Sequence, residues 1–379
     1  MRRSGYRRST ERGGLLWVAA DGSAPHEYLV EAARQQGETV RELRWAERQD
    51  GRGPLGRHVV LGRARTTRAY PTAVRLVSPR LLWEFLRSGE DVLVIYEFGL
   101  VGLYAGVSKI LRHRRVVALV EGDYRHLANN ATALGKVAFR RIAARLVDVI
   151  VANNAPAKDY LTNDIGVRPD KIVVGWWLAG FPADLSAHRP EYPAVPAGIP
   201  IFMSVSRLIP PKGIDLLINA VAEYRNRFGP CVLWVIGEGP ERESLARLAR
   251  QLNIEDSVSF LGTLDQMSLK GAFEKSTALV FPSLQDFTGR VVVEALTVGI
   301  PVVVSSLTGA AETLVRDGIN GFVVDPRDTP ALAESMHRTV DPKTQAALRG
   351  GVEGMKGLLS PDAAAGVVLR AVAQARREA

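Results

Sequence analysis

The sequence predicts an α/β protein built from two doubly wound domains that face a central cleft, and three observations predict it. At 379 residues the chain is longer than a single core usually grows, since cores rarely extend past about 250 to 300 residues. Short apolar runs rich in β-branched residues alternate with longer amphipathic segments, which is the pattern of βα units with a parallel sheet covered on both faces. The alternation occurs in two series, separated by residues 186–200, where four prolines fall within fifteen positions.

In chain order, residues 1–12 form a basic tail, and strands are expected at 15–20, 92–96, 116–120, 148–152 and 172–174. Segments 28–36 and 136–146 have helical spacing, and the Gly- and Arg-rich stretch 49–68 reads as an exposed loop. Proline fixes φ and removes a donor, so neither helix nor central strand runs through 186–200, and the linker is placed at 191–200. The second series has strands at 201–206, 232–236, 258–261, 278–281, 301–305 and 321–324. Ser360 as N-cap and Pro361 at the first helical position open a terminal helix over 363–377. The division is therefore a first domain at 1–190, a second at 201–355 and a final segment at 356–379.

Composition excludes several classes of function. With 46% hydrophobic and 23% charged residues the chain buries a sizeable interior and is not a disordered or fibrous protein. The single cysteine, Cys231, rules out an internal disulfide framework and a Cys-rich zinc site, and its apolar neighbours make it a core residue. No apolar run reaches the ~18 residues of a membrane span, and the basic start lacks the apolar length of a signal segment. Residues 1–200 carry 30 Lys and Arg against 20 Asp and Glu, whereas residues 201–379 carry 19 against 20. The whole excess of positive charge thus lies in the first half. It suits an anionic partner, above all a membrane surface met by segments 75–87 and 109–115, with a solvated Arg-rich surface as the alternative. Nucleic acid is not expected, because no zinc spacing, aromatic-interleaved basic stretch or binding module occurs.

The most chemically specific stretch runs from Phe281 to Leu296. A strand ends at Pro282, a short loop carries Asp286 and Gly289, and a helix begins near Gly289. The amides of Thr288, Gly289, Arg290 and Val291 then lie at a helix N-terminus, where free N–H groups and the helix dipole favour an anion. Glu294, eight residues after Asp286, places a second acceptor two turns deeper in the same groove. The plainer alternative makes Asp286 an N-cap and Glu294 a solvated helix residue. Arg207 and Lys212 stand five residues apart on a loop after the first strand of the second domain, stiffened by Pro210 and Pro211. A guanidinium and an ammonium there suit a diphosphate leaving group.

Taken in order, Arg207-x4-Lys212-Gly213, Gly237-Glu238-Gly239-Pro240, Phe260-Leu261-Gly262, Asp286-x7-Glu294, Gly299-Ile300-Pro301, Gly309-Ala310-Ala311-Glu312 and Asp317-Gly318-Ile319-Asn320-Gly321 resemble the donor domain of the retaining, family 4 type of nucleotide-sugar glycosyltransferase, which has the GT-B fold. The resemblance covers residues 200–340 closely and the rest by architecture. It implies that Arg207 and Lys212 bind the donor diphosphate, that Asp286 and the amides after it hold the transferred sugar, that Glu294 accepts from the ribose hydroxyls, and that Gly262 lies near the base. It also implies transfer with retention, no essential metal, no cofactor beyond the nucleotide-sugar co-substrate, and a last helix that crosses back onto the first domain.

Three positions depart from the pattern. Asp286 stands where the family usually has Glu, one methylene longer, and Thr288 and Arg290 replace an aromatic and an aliphatic residue. In the first domain the glycine-rich loop of many relatives is reduced to Gly22, which still permits backbone approach to a diphosphate. Glu121 occupies the place of a histidine that relatives carry at a central strand end, with His126 as a displaced candidate for the same catalytic role. His26 and Glu97 are candidates for acceptor contacts, alongside the plainer readings of a capping or surface histidine and a helix-start acid. Trp176 and Trp177 are either hinge packing or a sugar platform.

The function expected is transfer of a sugar from a nucleoside-diphosphate donor to an acceptor hydroxyl in polysaccharide or glycolipid assembly, in the cytoplasm and at the inner face of the membrane. The acceptor is a sugar, a lipid-linked molecule or a natural product. A soluble natural-product acceptor and nucleotide-sugar epimerisation on the same fold are the alternatives.

Overall fold

A computed structural model describes residues 13–19, 24–44, 58–60, 79–97, 100–122, 132–182, 184–186, 191–286 and 288–377. The first domain runs β1 (Leu15–Ala19), α1 (Ala24–Gln35), β2 (Val40–Arg44), β3 (His58–Val60), α2 (Pro79–Arg87), β4 (Val92–Tyr96), α3 (Leu100–Arg112), β5 (Arg115–Val120), α4 (Thr132–Arg145), β6 (Val149–Ala152), α5 (Ala155–Tyr160) and β7 (Ile172–Val174). The second runs β8 (Ile201–Val205), α6 (Ile214–Phe228), β9 (Val232–Ile236), α7 (Arg242–Gln251), β10 (Val258–Gly262), α8 (Gln266–Lys275), β11 (Ala278–Phe281), α9 (Arg290–Val298), β12 (Val302–Ser305), α10 (Gly309–Thr313), β13 (Gly321–Val324), α11 (Thr329–Arg338) and α12 (Pro342–Lys356). A last helix, α13 (Pro361–Arg377), follows.

Both sheets are parallel, ordered β3-β2-β1-β4-β5-β6-β7 and β10-β9-β8-β11-β12-β13. Each order reverses direction between its two central strands, β1 beside β4 and β8 beside β11. In such sheets ligands bind outside the carboxyl ends of the strands at that reversal. The loops after β1, β4, β8 and β11 are therefore the ones that build a site.

Two strands were not anticipated. β2, Val-Arg-Glu-Leu-Arg, carries three charges in five residues, and β3 lies inside the stretch read as an exposed loop. Among the described residues β3 pairs with β2 alone and is an edge strand, where little apolar sequence is required, whereas β2 lies between β1 and β3 with Leu43 fully buried, its charged residues breaking the apolar run that would mark it.

The apolar side chains of α13 enter the first domain. Val368, Ala371, Val372 and Ala375 share a core with Leu15, Trp17, Val117 and Leu119. Arg376 fastens the end of the helix, pairing with Glu38 at 2.9 Å and Asp91 at 3.0 Å and donating to the Gly13 carbonyl at 2.8 Å. Burial alone disfavours its charge, but these two carboxylates outweigh that and raise its pKa.

The chain passes between domains around residues 176–181. Trp177 is buried in the first domain with its indole N–H on the Val120 carbonyl at 3.3 Å, whereas Trp176 and Phe181 pack with the second core. The two tryptophans are thus packing groups. From residue 191 on, the proline-rich stretch lies on the second domain: Tyr192 stacks on Trp234 at 5.1 Å and donates to the Ser268 carbonyl at 2.5 Å. Proline forbids regular structure there without forbidding tertiary contact.

Candidate functional site

Four loops meet at the carboxyl edge of the second sheet. The one after β8 contains Arg207 and ends in a single turn, Pro210–Lys212, closed by the Lys212 amide on the Ile209 carbonyl at 3.0 Å. Gly213 follows at φ 63°, and a Cβ there would lie 2.4 Å from the Pro282 carbonyl oxygen. Only glycine lets the first loop approach the fourth this closely. The Leu284 amide then donates to the Pro211 carbonyl at 2.9 Å, the Leu208 amide to that of Glu238 at 3.0 Å, and the Gly237 amide to that of Gly262 at 2.8 Å. These bonds place Gly262 beside the same edge.

Asp286 is the hub of the fourth loop. Its Oδ2 lies 2.5 Å from Lys212 Nζ, and its Oδ1 accepts from the amides of Thr288 at 3.2 Å and Gly289 at 2.8 Å. The expectation that these two amides have free hydrogens is therefore corrected. A carboxylate one methylene shorter than the usual Glu turns back onto its own loop and caps it. Gly289 is the N-cap of α9 at φ 66°, with Arg290 and Val291 opening the first turn, where no preceding turn supplies carbonyls to their amides.

Glu294 is not a solvated helix residue. It is only 3% exposed, its Oε1 has no hydrogen-bond donor among the described residues, and Arg290 Nε stands 3.5 Å away. Burial raises its pKa and the Arg290 charge opposes that rise. A buried acceptor kept without a donor is suited to a hydroxyl-bearing ligand.

From the first domain, α1 faces this helix. Tyr28 has its pKa raised mainly by burial, with the charges of Glu27, Glu294 and Asp184 adding to it. His26 is half-buried, and its pKa is lowered to about 3 by burial and by the nearby Arg290. Its Nδ1 lies 2.6 Å from Tyr96 Oη, which accepts from Trp17 Nε1 at 3.3 Å. With the indole as donor, the tyrosine proton goes to Nδ1, and the imidazole is neutral. His26 is thus neither a cap nor a surface residue. Tyr28 and Tyr96 were missed because nothing in the local sequence marks a tyrosine that meets its partners only across the cleft or across two strands.

Glu97 ends β4 with φ 56°, a conformation rare for any residue but glycine, and its Oε1 accepts from the Glu121 amide at 3.0 Å. The structure therefore joins Glu97 and Glu121 at the carboxyl ends of neighbouring strands. Glu97 stands three residues before α3 and is tied by that bond to the backbone after β5. Gly22 and His126 lie outside the described residues.

A cleft of 680 Å³ runs between the domains, lined by Asn154 and Pro156 from the first and by Pro210, Pro211, Gln285, Asp286, Thr308 and Glu312 among others from the second. Among the described residues no group of three or more His, Cys, Asp or Glu side chains gathers as metal ligands, and no helix is long and apolar enough to cross a membrane.

Comparison with known proteins bears on this geometry. Residues 191–348 match a family model described as glycosyl transferases group 1. A D-inositol 3-phosphate glycosyltransferase of Streptomyces scabiei is 34% identical over 202 residues, 50% of this chain and 45% of its own. The lipopolysaccharide core biosynthesis glycosyltransferase LpsE of Rhizobium meliloti is 32% identical over 207 residues, 55% of this chain and 58% of its own. The chain spans between 35% and 58% of the length of these and similar curated relatives. Among solved structures, HepE of Anabaena in complex with UDP and glucose superposes with a TM-score of 0.74 at 17% identity, covering 96% of this chain and 100% of that one. WaaG, a glycosyltransferase involved in lipopolysaccharide biosynthesis, superposes at 0.69 and 15% identity, covering 93% and 99%. The shared architecture is GT-B.

Proposed function

We propose, from the match of residues 191–348 to the model described as glycosyl transferases group 1, that this chain is a member of that family and transfers a sugar from a nucleoside-diphosphate donor to an acceptor hydroxyl. The observation that carries the reading is the Lys212–Asp286 pair at 2.5 Å, set beside the N-terminus of α9 on the wall of a 680 Å³ interdomain cleft. The donor diphosphate lies against Arg207, Lys212 and the first amides of α9. As the sugar–oxygen bond breaks, charge accumulates on the departing diphosphate, where two cations and a helix dipole stabilise it without a metal ion. Glu294 accepts from the ribose and Asp286 contacts the transferred sugar. Departure assisted in this way, with the acceptor hydroxyl entering from the same face, gives retention of configuration.

The acceptor lies against the first domain, where Glu97, Glu121 and His26 stand at the facing edge. Inositol phosphate, phosphatidylinositol monomannoside and lipopolysaccharide core occur in the names of similar proteins, and they support a hydroxyl-rich acceptor on a lipid in polysaccharide or glycolipid assembly, with the chain peripheral to the membrane.

The test is thermal stabilisation by UDP-, GDP- and ADP-sugars, repeated on Lys212→Ala. A shift with one base family that the variant loses supports the reading, and the absence of any shift in the wild type overturns it. Conversion of the donor to its epimer without acceptor identifies the epimerase alternative. Transfer to water-soluble acceptors alone removes the lipid.

A further inference from the structure

Helices α2, α3 and α4 lie side by side on one face of the first sheet. Phe85 of α2, Ala105 of α3 and Ala144 of α4 enter the same core beneath them. α3 lies in the middle: its Ser108 hydroxyl donates to the Phe85 carbonyl at 3.0 Å, and a Cβ added to its Gly106 would meet Leu146, just past α4, at 2.5 Å.

On their outer sides the same helices hold large apolar side chains away from the core. Trp83 is 58% exposed, Ile110 65%, Leu111 62% and Ile142 54%. Single exposed hydrophobics are ordinary, but four on adjoining helices need a cover. Arg80, Arg87, Arg112, Arg141 and Arg145 stand exposed on the same three helices. Neighbouring carboxylates are already engaged, Asp148 by Lys109 at 2.7 Å and Arg115 at 3.4 Å, and Glu84 by Arg41 at 2.6 Å. The charge on this face is therefore strongly positive.

Where α4 ends, a cavity of 450 Å³ is lined by Arg141, Arg145, Arg168 and Lys171, with Ile165 and Val167 among its apolar walls. No carboxylate is among its described lining residues. Arg141 is held by two bonds to the Asp164 carbonyl at 3.2 and 2.9 Å, and Lys171 by one to the Val147 carbonyl at 3.3 Å. Backbone carbonyls position these two cations without neutralising them, although Arg168 pairs with Asp170 at 3.2 Å.

We propose that this face docks the protein on an anionic lipid bilayer, with Trp83, Ile110, Leu111 and Ile142 entering the headgroup region and the four-cation cavity taking a lipid phosphate. Arginines interspersed with a tryptophan and aliphatic residues match the two layers of such a surface, charge outside and hydrocarbon beneath. A nucleic acid would use the arginines and leave the aliphatic residues in water. The inference rests on the reading above only in placing the acceptor on a lipid.

The test is co-sedimentation of the full chain with vesicles of phosphatidylcholine and phosphatidylglycerol, and with phosphatidylcholine alone, at low and high salt. Partition onto the mixed vesicles only, reversed by salt, is expected. Arg141→Glu with Arg145→Glu should weaken it by about thirtyfold or more, and Ile110→Ser with Leu111→Ser by roughly tenfold. Stabilisation by nucleotide sugar persists in both variants and shows that they are folded; its loss from the wild type would sink the donor reading while leaving vesicle binding intact. Equal partition onto neutral vesicles, no partition at low salt, or undiminished binding of the charge-reversed variant overturns the proposal. So does retention on immobilised RNA without vesicle binding.

Discussion

Lys212 and Asp286 are 74 residues apart in sequence and 2.5 Å apart in space, and the pair ties the loop after β8 to the loop after β11. Lys212→Ala removes one of the two cations proposed to hold the donor diphosphate and should lower kcat/KM by about 10²- to 10³-fold. Asp286→Asn keeps an oxygen for the Thr288 and Gly289 amides but loses the charge. It should destabilise the unliganded protein by roughly 1 to 3 kcal/mol, read by urea denaturation, because the partly buried ammonium is left uncompensated.

Gly289 holds the turn into α9 at φ 66°, and a Cβ there would lie 2.7 Å from Ala310 Cβ. Gly289→Ala should cost about 1 to 2 kcal/mol from backbone strain alone, with the clash adding to it. Donor affinity should fall as well, since α9 would open from a shifted first turn.

Glu294 should show a trade between stability and function. Its pKa is raised by burial, so the folded state binds a proton more readily than the unfolded one, and the associated stability is present below the ordinary Glu pKa and lost as pH rises through the folded value. Glu294→Gln has no such loss. Relative to wild type it should gain more stability at pH 8 than at pH 4, while affinity for a nucleotide sugar falls roughly tenfold with the loss of a charged acceptor. Paired urea titrations and donor titrations separate the two effects.

His26 behaves in the opposite sense. Its pKa falls from an ordinary 6.5 to about 3, so between those values the unfolded chain binds a proton that the folded chain refuses, and stability declines as pH drops below about 6.5. A His26→Gln variant lacks this term. Its destabilisation relative to wild type should be smaller at pH 5 than at pH 8, measured by denaturation at the two values.

All six strands of the second domain were legible to within one residue, because each is an apolar run of four or five residues between helices of helical spacing. β2 and β3 were not, since Arg41, Glu42 and Arg44 break the apolar run of β2 and β3 lies within a Gly- and Arg-rich stretch. The loops at the carboxyl edge of the second sheet were visible because Arg207, Lys212, Asp286 and Gly289 fall in short local patterns. What those patterns could not convey is how the groups satisfy one another. The Asp286 carboxylate occupies two amides that a strand-loop-helix pattern leaves open. The Trp17–Tyr96–His26 chain joins residues 79 and 70 positions apart, and only the parallel pairing of β1 with β4 brings them together.

The return of α13 has a consequence for biosynthesis. Val368, Ala371 and Val372 of α13 complete the core over Val117, Leu119, Val149 and Val151 of β5 and β6, and Arg376 bridges Glu38 and Asp91. As the chain leaves the ribosome, the second domain therefore has every strand of its sheet in hand while the first still waits for its closing helix. Once residue 356 has emerged, the second sheet is complete beside a first domain whose core is still open, exposed to chaperones and proteases until α13 follows.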